Sequence, residues 1–249
     1  MALSPLAYKA GVTEDAAHLR KGSATHALTY LNVPVAVYDG VRRGKEWEAF
    51  KVAHAGSVVV NRKEYDIAVA MAKAIRENET VIDLGLLDMT CKWVETEILW
   101  DFDGVPFSST PDLHCPAFCV DLKTTKSAKP GHFERDILKY YYHCQAAIYR
   151  KAIGEQYGYK PKEMYIIACE SKPPHDVVVY RLTPRILDLG ERTAYMWLSE
   201  LRNCQASDHW PGYTSAVVDV DVPDYMLEDE EDETEEDEES TEEAECPVQ

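Results

Sequence analysis

The sequence has no long apolar run. No stretch of about 18 consecutive apolar residues is present, and the first residues lack the basic-then-apolar pattern of a secretory signal. Seven cysteines, an odd number without paired spacing, fit a reducing compartment better than a disulfide framework. These absences disfavour a membrane protein and a disulfide-rich secreted protein. We expect a soluble, intracellular protein without membrane contact.

Positive charge is also scarce, since 26 Lys and Arg residues face 44 Asp and Glu residues for a net charge of −18. Such an excess argues at first against a nucleic-acid partner. However, residues 228–245 hold 14 of the acidic residues and no basic one. The rest of the chain has 30 acidic and 26 basic residues, a net of −4. Basic clusters at 42–45 and 123–129 can therefore still form a phosphate-binding groove.

Length and composition predict one large domain followed by a tail. A chain of 249 residues with 45% hydrophobic content can bury a sizeable core. The acidic segment near the end cannot bury apolar surface, so we expect it to be disordered. The predicted organisation is a folded domain over residues 1–225 and an acidic tail over residues 226–249.

Two charges end a short apolar strand in the middle of the chain. Residues 117–123 read Ala-Phe-Cys-Val-Asp-Leu-Lys, and period-two alternation puts Asp121 and Lys123 on one face with Leu122 on the other. Asp112 ends the preceding polar strand, and a turn at 113–116 would fold its carboxylate beside Asp121. Two close carboxylates repel unless a proton or a cation lies between them. The pair therefore predicts a site for a hard divalent ion.

A lysine beside such a metal suits phosphate chemistry. The Lys123 ammonium can orient an attacking water and offset the charge that develops on the phosphorane oxygens. The alternative for an isolated Asp-x-Lys triplet is a surface ion pair, which is common in proteins. The neighbouring segments decide between these interpretations.

Further elements complete an α/β pattern. A helix is predicted from Gly22 with His26 among its apolar residues, which by itself is typical of a hydrogen-bonded core histidine. Asn61 caps a patterned helix that ends near Asn78. Other predicted elements are a strand over 92–101, a hairpin turn over 101–104, strands over 163–170 and 176–182, and a helix from Pro184 to about Cys204.

Two predicted elements carry polar candidates. On the 92–101 strand, Glu95 and Glu97 lie two apart and share a face, and simple solvent exposure is the alternative to a metal role. A helix over 132–152 spaces Tyr141, Gln145 and Tyr149 four apart in one stripe. Such stripes are usually core, but a buried amide needs partners, and Gln145 could hold a DNA phosphate or base.

These pieces together resemble a known superfamily. Asp112, Asp121-Leu122-Lys123 and Gln145-x-x-x-Tyr149, with the helix Lys21-Gly-Ser-Ala-Thr-His26, resemble the PD-(D/E)xK nucleases. Within them the chain is similar to the RecE-type (exonuclease VIII) family of phages and prophages. The resemblance implies a restriction-endonuclease-like α/β core, with a mixed central β-sheet flanked by α-helices.

The same resemblance implies an activity and its partners. Members are Mg²⁺-dependent exonucleases that degrade the 5′-ended strand of linear double-stranded DNA. They leave 3′ single strands for an annealing protein, and their relatives form homo-oligomeric rings that encircle DNA. The implied location is the cytoplasm of a bacterial host.

Residue roles follow from the resemblance as well. His26, Glu95, Asp112, Asp121 and the Leu122 carbonyl are implied metal ligands, with Mg²⁺ as the cofactor and Mn²⁺ as a substitute. The implied catalytic residues are Asp112, Asp121, Lys123, Gln145 and Tyr149, of which Gln145 and Tyr149 would position the strand.

The chain departs from the pattern in two places. Thr110 and Pro111 stand where the family often has a basic residue, and the segment before His26 is short. Two other functions therefore stay open. One is an endonuclease of the same superfamily, and the other is a non-catalytic DNA mimic or binding protein.

Overall fold

A computed structural model describes residues 5–11, 19–88, 90 and 93–222. The chain divides into a large unit that ends at Trp210 and a second unit that begins at Pro211. The predicted domain boundary at residue 225 and the acidic segment 228–245 lie outside the described residues.

Nine strands occur in the described chain. They are β1 (Val35–Val37), β2 (Val58–Val60), β3 (Trp93–Val94), β4 (Ile98–Phe102), β5 (Val105–Ser109), β6 (Leu113–His114), β7 (Phe118–Thr125), β8 (Glu163–Glu170) and β9 (Val177–Arg181). Five of them form one mixed sheet in the order β3-β6-β7-β8-β9. β7 and β8 pair in parallel, and the other neighbours pair antiparallel.

Eight helices accompany these strands in the same residues. They are α1 (Pro5–Lys9), α2 (Leu19–Tyr30), α3 (Lys45–Ala53), α4 (Arg62–Glu77), α5 (Glu79–Asp83), α6 (His132–Lys139), α7 (Tyr142–Tyr157) and α8 (Pro184–Ser207). No helix in the described ranges is long and apolar enough to cross a membrane. The five cysteines described, Cys115, Cys119, Cys144, Cys169 and Cys204, are all free.

Helices cover both faces of the central sheet. Tyr30 of α2 and Met71 and Ile75 of α4 pack with Val120 and Leu122 on one face of β7. Side chains of α6, α7 and α8 pack on the other face in a larger apolar cluster. Successive residues of a strand point to opposite faces, so each of the two clusters takes alternate side chains of β7 and β8. The predicted fold class, a mixed sheet flanked by helices, is confirmed.

Local sequence signals explain several of these elements. Asn61 caps α4 with a reciprocal capping box, in which its side chain accepts from the Glu64 N–H and the Glu64 side chain accepts from the Asn61 N–H. Asp103 and Gly104 form the two-residue loop between β4 and β5, and both have positive φ. That conformation matches the turn type that Asp-Gly favours in hairpins.

Three predicted elements differ from the structure. The single strand over 92–101 is two strands, β3 and β4, separated by Glu95 in a left-handed conformation at φ 40°. The turn predicted at 113–116 begins later, because Leu113 and His114 form β6 and pair with Val120 and Cys119.

The helix predicted over 132–152 is α6 and α7, broken at Tyr141 with φ 58°. Tyr141 therefore precedes α7, and its ring packs edge-on against Trp197 of α8 at 4.7 Å between centroids. β1 and α5 were not predicted.

Candidate metal centre

The shortness of β6 leaves one edge of β7 open. At the end of β7 the Thr125 carbonyl accepts from the Ser171 N–H on the side of β8. Backbone groups alternate in direction along a strand, so those of Leu122 point to the opposite edge, beyond the end of β6. There the Leu122 N–H donates a hydrogen bond to Oδ2 of Asp112 at 2.6 Å. The Leu122 carbonyl faces the same edge, because both backbone groups of one strand residue share a side.

Glu95 lies next to Asp112 across the β3–β6 pair. The Glu95 N–H donates to the Asp112 carbonyl oxygen at 2.9 Å, immediately after β3 ends. The Asn32 side-chain amide donates to Oε2 of Glu95 at 2.7 Å. This bond leaves Oε1 as the carboxylate oxygen nearer to the histidine described next.

Glu97 is not part of this group. It is exposed, and the Ser108 hydroxyl on the β4–β5 hairpin donates to its carboxylate at 2.8 Å. The prediction that Glu95 and Glu97 share a strand face is wrong, because the left-handed residue at Glu95 ends the strand between them.

Helix α2 brings His26 over the two carboxylates. A Cβ atom at Gly22 would lie 3.3 Å from the Thr124 hydroxyl oxygen, so this glycine lets α2 approach β7 closely. His26 follows one helical turn later on the same side of α2. Its Nδ1 lies 3.4 Å from Oδ2 of Asp112 and 3.8 Å from Oε1 of Glu95.

These three side chains can offer one ligand atom each to a common ion. The atoms of His26, Glu95 and Asp112 lie within 4.8 Å of one another. Burial lowers the pKa of His26, but the Asp112 and Asp121 carboxylates together outweigh burial, and the result is a pKa above the ordinary value. The local field therefore favours a positive charge at this position, as a bound cation would supply.

Asp121 and Lys123 form an ion pair on the face of β7 opposite to the Leu122 side chain. The Lys123 Nζ lies 2.6 Å from Oδ2 of Asp121, and 4.9 Å from the ring centroid of Tyr142. Asp121 is 6% exposed, so the pair is not the surface ion pair of the alternative interpretation. Both side chains lie on the same face of β7, as the period-two pattern predicted.

The electrostatics of this pair depend on its burial. Burial raises the pKa of Asp121, the Lys123 ammonium opposes that shift, and the Asp112 carboxylate adds to it, so the pKa lies above its usual value. Burial lowers the pKa of Lys123, but Asp121 and Asp112 outweigh that effect and leave the pKa above its usual value. Lys123 is therefore a buried, protonated cation beside carboxylates at neutral pH.

Gln145 and Tyr149 lie one turn apart on α7 and are joined to each other. The Gln145 amide donates to the Tyr149 hydroxyl oxygen at 2.8 Å. Burial raises the pKa of Tyr149, and the charges of Asp121 and Asp112 raise it further, which shows that this hydroxyl lies within reach of their field. Tyr141 is not part of the predicted stripe, since it lies before the first turn of α7.

A buried hydroxyl without a partner adds a further polar atom to this region. Tyr30 follows His26 by one turn of α2, is 1% exposed, and its hydroxyl has no hydrogen-bond partner among the described residues. Burial raises the pKa of Tyr30, and the charges of Asp112, Asp121 and Glu95 raise it further. A buried polar atom without a partner costs free energy unless a hydrated ion or a water satisfies it.

The donor set fits a divalent metal. Two carboxylates, one imidazole and a strand carbonyl are acceptable ligands for Mg²⁺ or Mn²⁺, and the carboxylates need a cation to offset their repulsion. Asp121 is close to this set, but its Oδ2 is held by Lys123 rather than grouped with the other three donors.

Sequence reasoning missed three residues around this edge, namely Asn32, Tyr30 and Tyr142. The position of Tyr30 could have been found, because it lies four residues after His26 on a helix. Asn32 and Tyr142 could not, because their contacts to Glu95 and Lys123 join segments that are distant in sequence.

Comparison with known proteins agrees with this architecture. The family described as "PDDEXK-like domain of unknown function (DUF3799)" matches residues 9–219. The chain belongs to this family. The chain therefore has a PDDEXK-like domain, in agreement with the fold class that the resemblance implied. A comparison with curated proteins gives no match.

The solved structures that match this DUF3799 chain include the following two. The crystal structure named "Putative exonuclease" from Eubacterium rectale has a TM-score of 0.55 and 14% sequence identity, and the match covers 87% of this chain and 80% of that one. The crystal structure of SSO0001 has a TM-score of 0.27 and 13% identity, with 74% of this chain and 88% of that one covered. The first likeness concerns the fold, and the second carries no argument.

Proposed function

We propose that this protein is a divalent-metal-dependent nuclease, and that it is an exonuclease acting on the ends of linear double-stranded DNA. The observation that carries the proposal is the common location of the His26, Glu95 and Asp112 donors and the buried Asp121–Lys123 pair at one edge of β7. A PDDEXK-like domain and a neighbour named as an exonuclease support the same chemistry.

In this proposal Asp112, Glu95 and His26 hold the ion, with Asp121 and the Leu122 carbonyl as further ligands. Mg²⁺ is the proposed cofactor, and Mn²⁺ can replace it because imidazole is a better ligand for Mn²⁺. When bound, such an ion polarises the scissile phosphate and acidifies a water. The hydrogen bond from Leu122 and the one from Asn32 to Glu95 hold the carboxylates in place before the ion arrives.

Lys123 has a separate role in the proposal. Its ammonium is buried and protonated, and Asp121 and the Tyr142 ring restrict its position. Such a cation can orient the attacking water through a hydrogen bond and offset negative charge on the phosphate oxygens. Gln145 and Tyr149 present an amide and a hydroxyl that can hold the phosphate of the bound strand.

The finer features of the proposal rest on the resemblance to the RecE-type family. They are 5′ to 3′ polarity, a 3′ single strand as product, a single-strand annealing protein as partner, a homo-oligomeric ring, and a phage or prophage origin with activity in the bacterial cytoplasm. Each of these can fail while the nuclease assignment stands.

The test compares linear duplexes, labelled at either the 5′ or the 3′ end, with covalently closed circles. Each substrate is incubated with Mg²⁺, with Mn²⁺ and with EDTA, using wild-type protein and a Lys123→Met variant as the matched control. We expect metal-dependent loss of the 5′ label from linear DNA, intact circles, and no activity in the variant. Nicked circles would indicate an endonuclease, and earlier loss of the 3′ label would reverse the polarity. Metal-dependent binding without hydrolysis would leave only a DNA-binding protein.

A further inference from the structure

An aromatic strip lies outside the metal centre, on α3 and at residues before and after it. Its members are Tyr38, Trp47, Phe50 and His54. The ring centroid of Tyr38 lies 5.0 Å from that of Trp47 and 4.6 Å from that of Phe50. The ring centroid of His54 lies 4.2 Å from that of Phe50 and continues the row. Trp47 and Phe50 are nearly parallel, at 13°.

The strip is not a buried core. α3 has no buried residue, and the three rings of Tyr38, Trp47 and Phe50 are each partly open to solvent. A row of connected rings that keeps part of its surface in water is costly for a purely structural element, because the same side chains would gain more from full burial. The exposed ring surface is therefore available to a ligand.

Cations lie beside the rings. The Arg42 guanidinium lies 5.7 Å and the Lys51 ammonium 5.6 Å from the ring centroid of Trp47. Arg42 also lies 3.5 Å from Oε2 of Glu64. Arg43 and Lys45 are exposed in the loop and first turn, and neither forms an ion pair within the described residues. Helical spacing puts Lys51 and His54 on the same face of α3 as Trp47 and Phe50.

Two acidic residues near the strip, Glu48 and Asp39, are engaged in contacts of their own. Glu46 and Glu48 flank the ring-bearing face of α3, and Glu48 is paired with Lys51 at 2.8 Å. Asp39 accepts a hydrogen bond from the Arg62 N–H at the start of α4. The surface between the two glutamates thus combines aromatic faces with cations.

We propose that the strip of Tyr38, Trp47, Phe50 and His54 binds single-stranded DNA, with bases stacking on the rings and phosphates meeting Arg42, Arg43 and Lys51. Stacking on aromatic side chains combined with cations along the backbone path is how proteins bind single strands without sequence preference. Duplex DNA cannot use the rings, because its bases are already stacked and paired.

The strip is connected to the metal centre through the fold. β1 and β2 lie on either side of it in sequence, and Val35, Val58 and Val60 pack with Ala24 and Leu28 of α2. α2 is the helix that carries His26. The inference extends the proposed nuclease function, since a nuclease that degrades one strand of a duplex produces single-stranded DNA beside its active site.

The test measures binding of a fluorescein-labelled oligodeoxythymidine by anisotropy in EDTA, so that hydrolysis plays no part. Removing one stacking ring costs about 1–3 kcal/mol per base, and 1.4 kcal/mol is a tenfold change. We therefore expect Trp47→Ala to weaken binding about tenfold and Trp47→Phe to weaken it less. Lys51→Glu should also weaken binding and make its dependence on salt shallower, because one phosphate contact is lost. Val52→Ala, on the opposite side of α3 and 79% exposed, is the matched control and should bind as wild type does.

Several outcomes would overturn the proposal that the strip binds single-stranded DNA. They are equal affinity of Trp47→Ala and wild type, equal loss for a blunt duplex, and a change of oligomeric state in Trp47→Ala that accounts for the loss. The last outcome would make the strip an interface between copies. Folding of each variant is checked by its thermal stability and by hydrolysis of bis(p-nitrophenyl) phosphate, which is too small to reach the strip. If the wild-type protein hydrolyses no substrate but still binds the oligonucleotide in a Trp47-dependent way, the nuclease proposal fails and the DNA-binding role of the strip stands.

Discussion

The Asp112 carboxylate accepts a hydrogen bond from the Leu122 N–H and, with the same oxygen, faces Nδ1 of His26. Its structural task and its proposed metal task can therefore be separated by substitution. An asparagine at this position keeps an acceptor for the N–H but loses the negative charge, whereas an alanine loses both.

We expect Asp112→Asn to fold at least as well as wild type in EDTA, because repulsion from Glu95 and Asp121 is relieved. Mn²⁺ should no longer raise its melting temperature, and nuclease activity should fall by about 100-fold or more, as loss of a charged ligand does. Asp112→Ala should instead be destabilised by about 1–3 kcal/mol, since the buried Leu122 N–H loses its partner. Thermal melts with and without Mn²⁺ measure both effects. A wild-type response of Asp112→Asn to Mn²⁺ would contradict the assignment.

Tyr30 offers a second prediction about a single atom. Its buried hydroxyl has no partner in the described protein, so Tyr30→Phe should raise the free energy of unfolding in EDTA by about 1 kcal/mol. A hydrated ion beside Asp112 would supply the missing partner, so the increase in stability on adding Mn²⁺ should be smaller in the variant. Denaturant titrations in both conditions give the two free energies. An unchanged increase would show that the hydroxyl does not take part.

The pH dependence of metal binding follows from His26. A ligand imidazole must be neutral, and the pKa of His26 lies above its ordinary 6.5 because Asp112 holds the charged form. In the metal-free protein this charged form stabilises the fold below pH 6.5, and the stabilisation is lost as the pH rises through the raised pKa. Metal affinity has the opposite sign, so Mn²⁺ binding should weaken as the pH falls from about 8 to about 6. Calorimetric titration should show a shallower pH dependence in His26→Gln.

Among the elements, those with strong local periodicity were predicted from the sequence. The strand β7, the capped helix α4 and the Asp-Gly hairpin depend on patterns within a few residues. The breaks at Glu95 and Tyr141 could not be predicted in this way, because each left-handed residue is held by distant partners. Asn32 bonds to Glu95, and Trp197 packs on Tyr141. Tertiary contacts overrode the local preference in both cases.

Helix α2 gives a prediction at this scale. Its distance from β7 depends on Gly22, where a Cβ atom would already meet the Thr124 hydroxyl at 3.3 Å. A branched side chain there should push the helix away from the sheet and carry His26 away from Asp112. We expect Gly22→Val to weaken Mn²⁺ binding about tenfold and to lower stability. Ser23→Val, exposed on the same helix, is the control for the propensity change and should bind the ion normally.

The net charge of the whole molecule can be read directly from the sequence, and it is unevenly distributed along the chain. The net −18 falls to −4 when the residues after Tyr225 are removed, because that segment has 14 acidic residues and no basic one. Several residues of the candidate site could be singled out from the sequence by their charge. Asp121 and Lys123 are charges at the end of an apolar strand, and Asp112 precedes them by a short turn, so the three residues stand out in the sequence. The supporting contacts of Asn32 and Tyr142 depend on the folded chain.

Truncation after Tyr225 tests the effect of this charge on DNA binding. Net negative charge repels DNA over a distance set by the salt, so the truncated protein should bind duplex DNA faster and more tightly at low salt. The gain should shrink above roughly 0.2 M salt, where the screening length falls below about 8 Å. Stopped-flow association in Ca²⁺ or EDTA at several salt concentrations measures it. Equal association rates of the truncated and full-length proteins at low salt would show that the acidic segment does not affect DNA binding. Its role would then be solubility or the binding of a basic partner.

The parallel pairing of β7 with β8 also sets the order in which the chain can assemble. β6 and β7 are joined by a short turn, so Asp112 and Leu122 can meet through a local contact. β8 lies beyond both α6 and α7, and it can join β7 only after that long connection has closed. The carboxylates and Lys123 are therefore brought together early, and the helices that remove them from water arrive late. We therefore expect most of the free-energy cost of burying these charges to arise after the rate-limiting step of folding. Such a cost increases the unfolding rate and leaves the folding rate nearly unchanged.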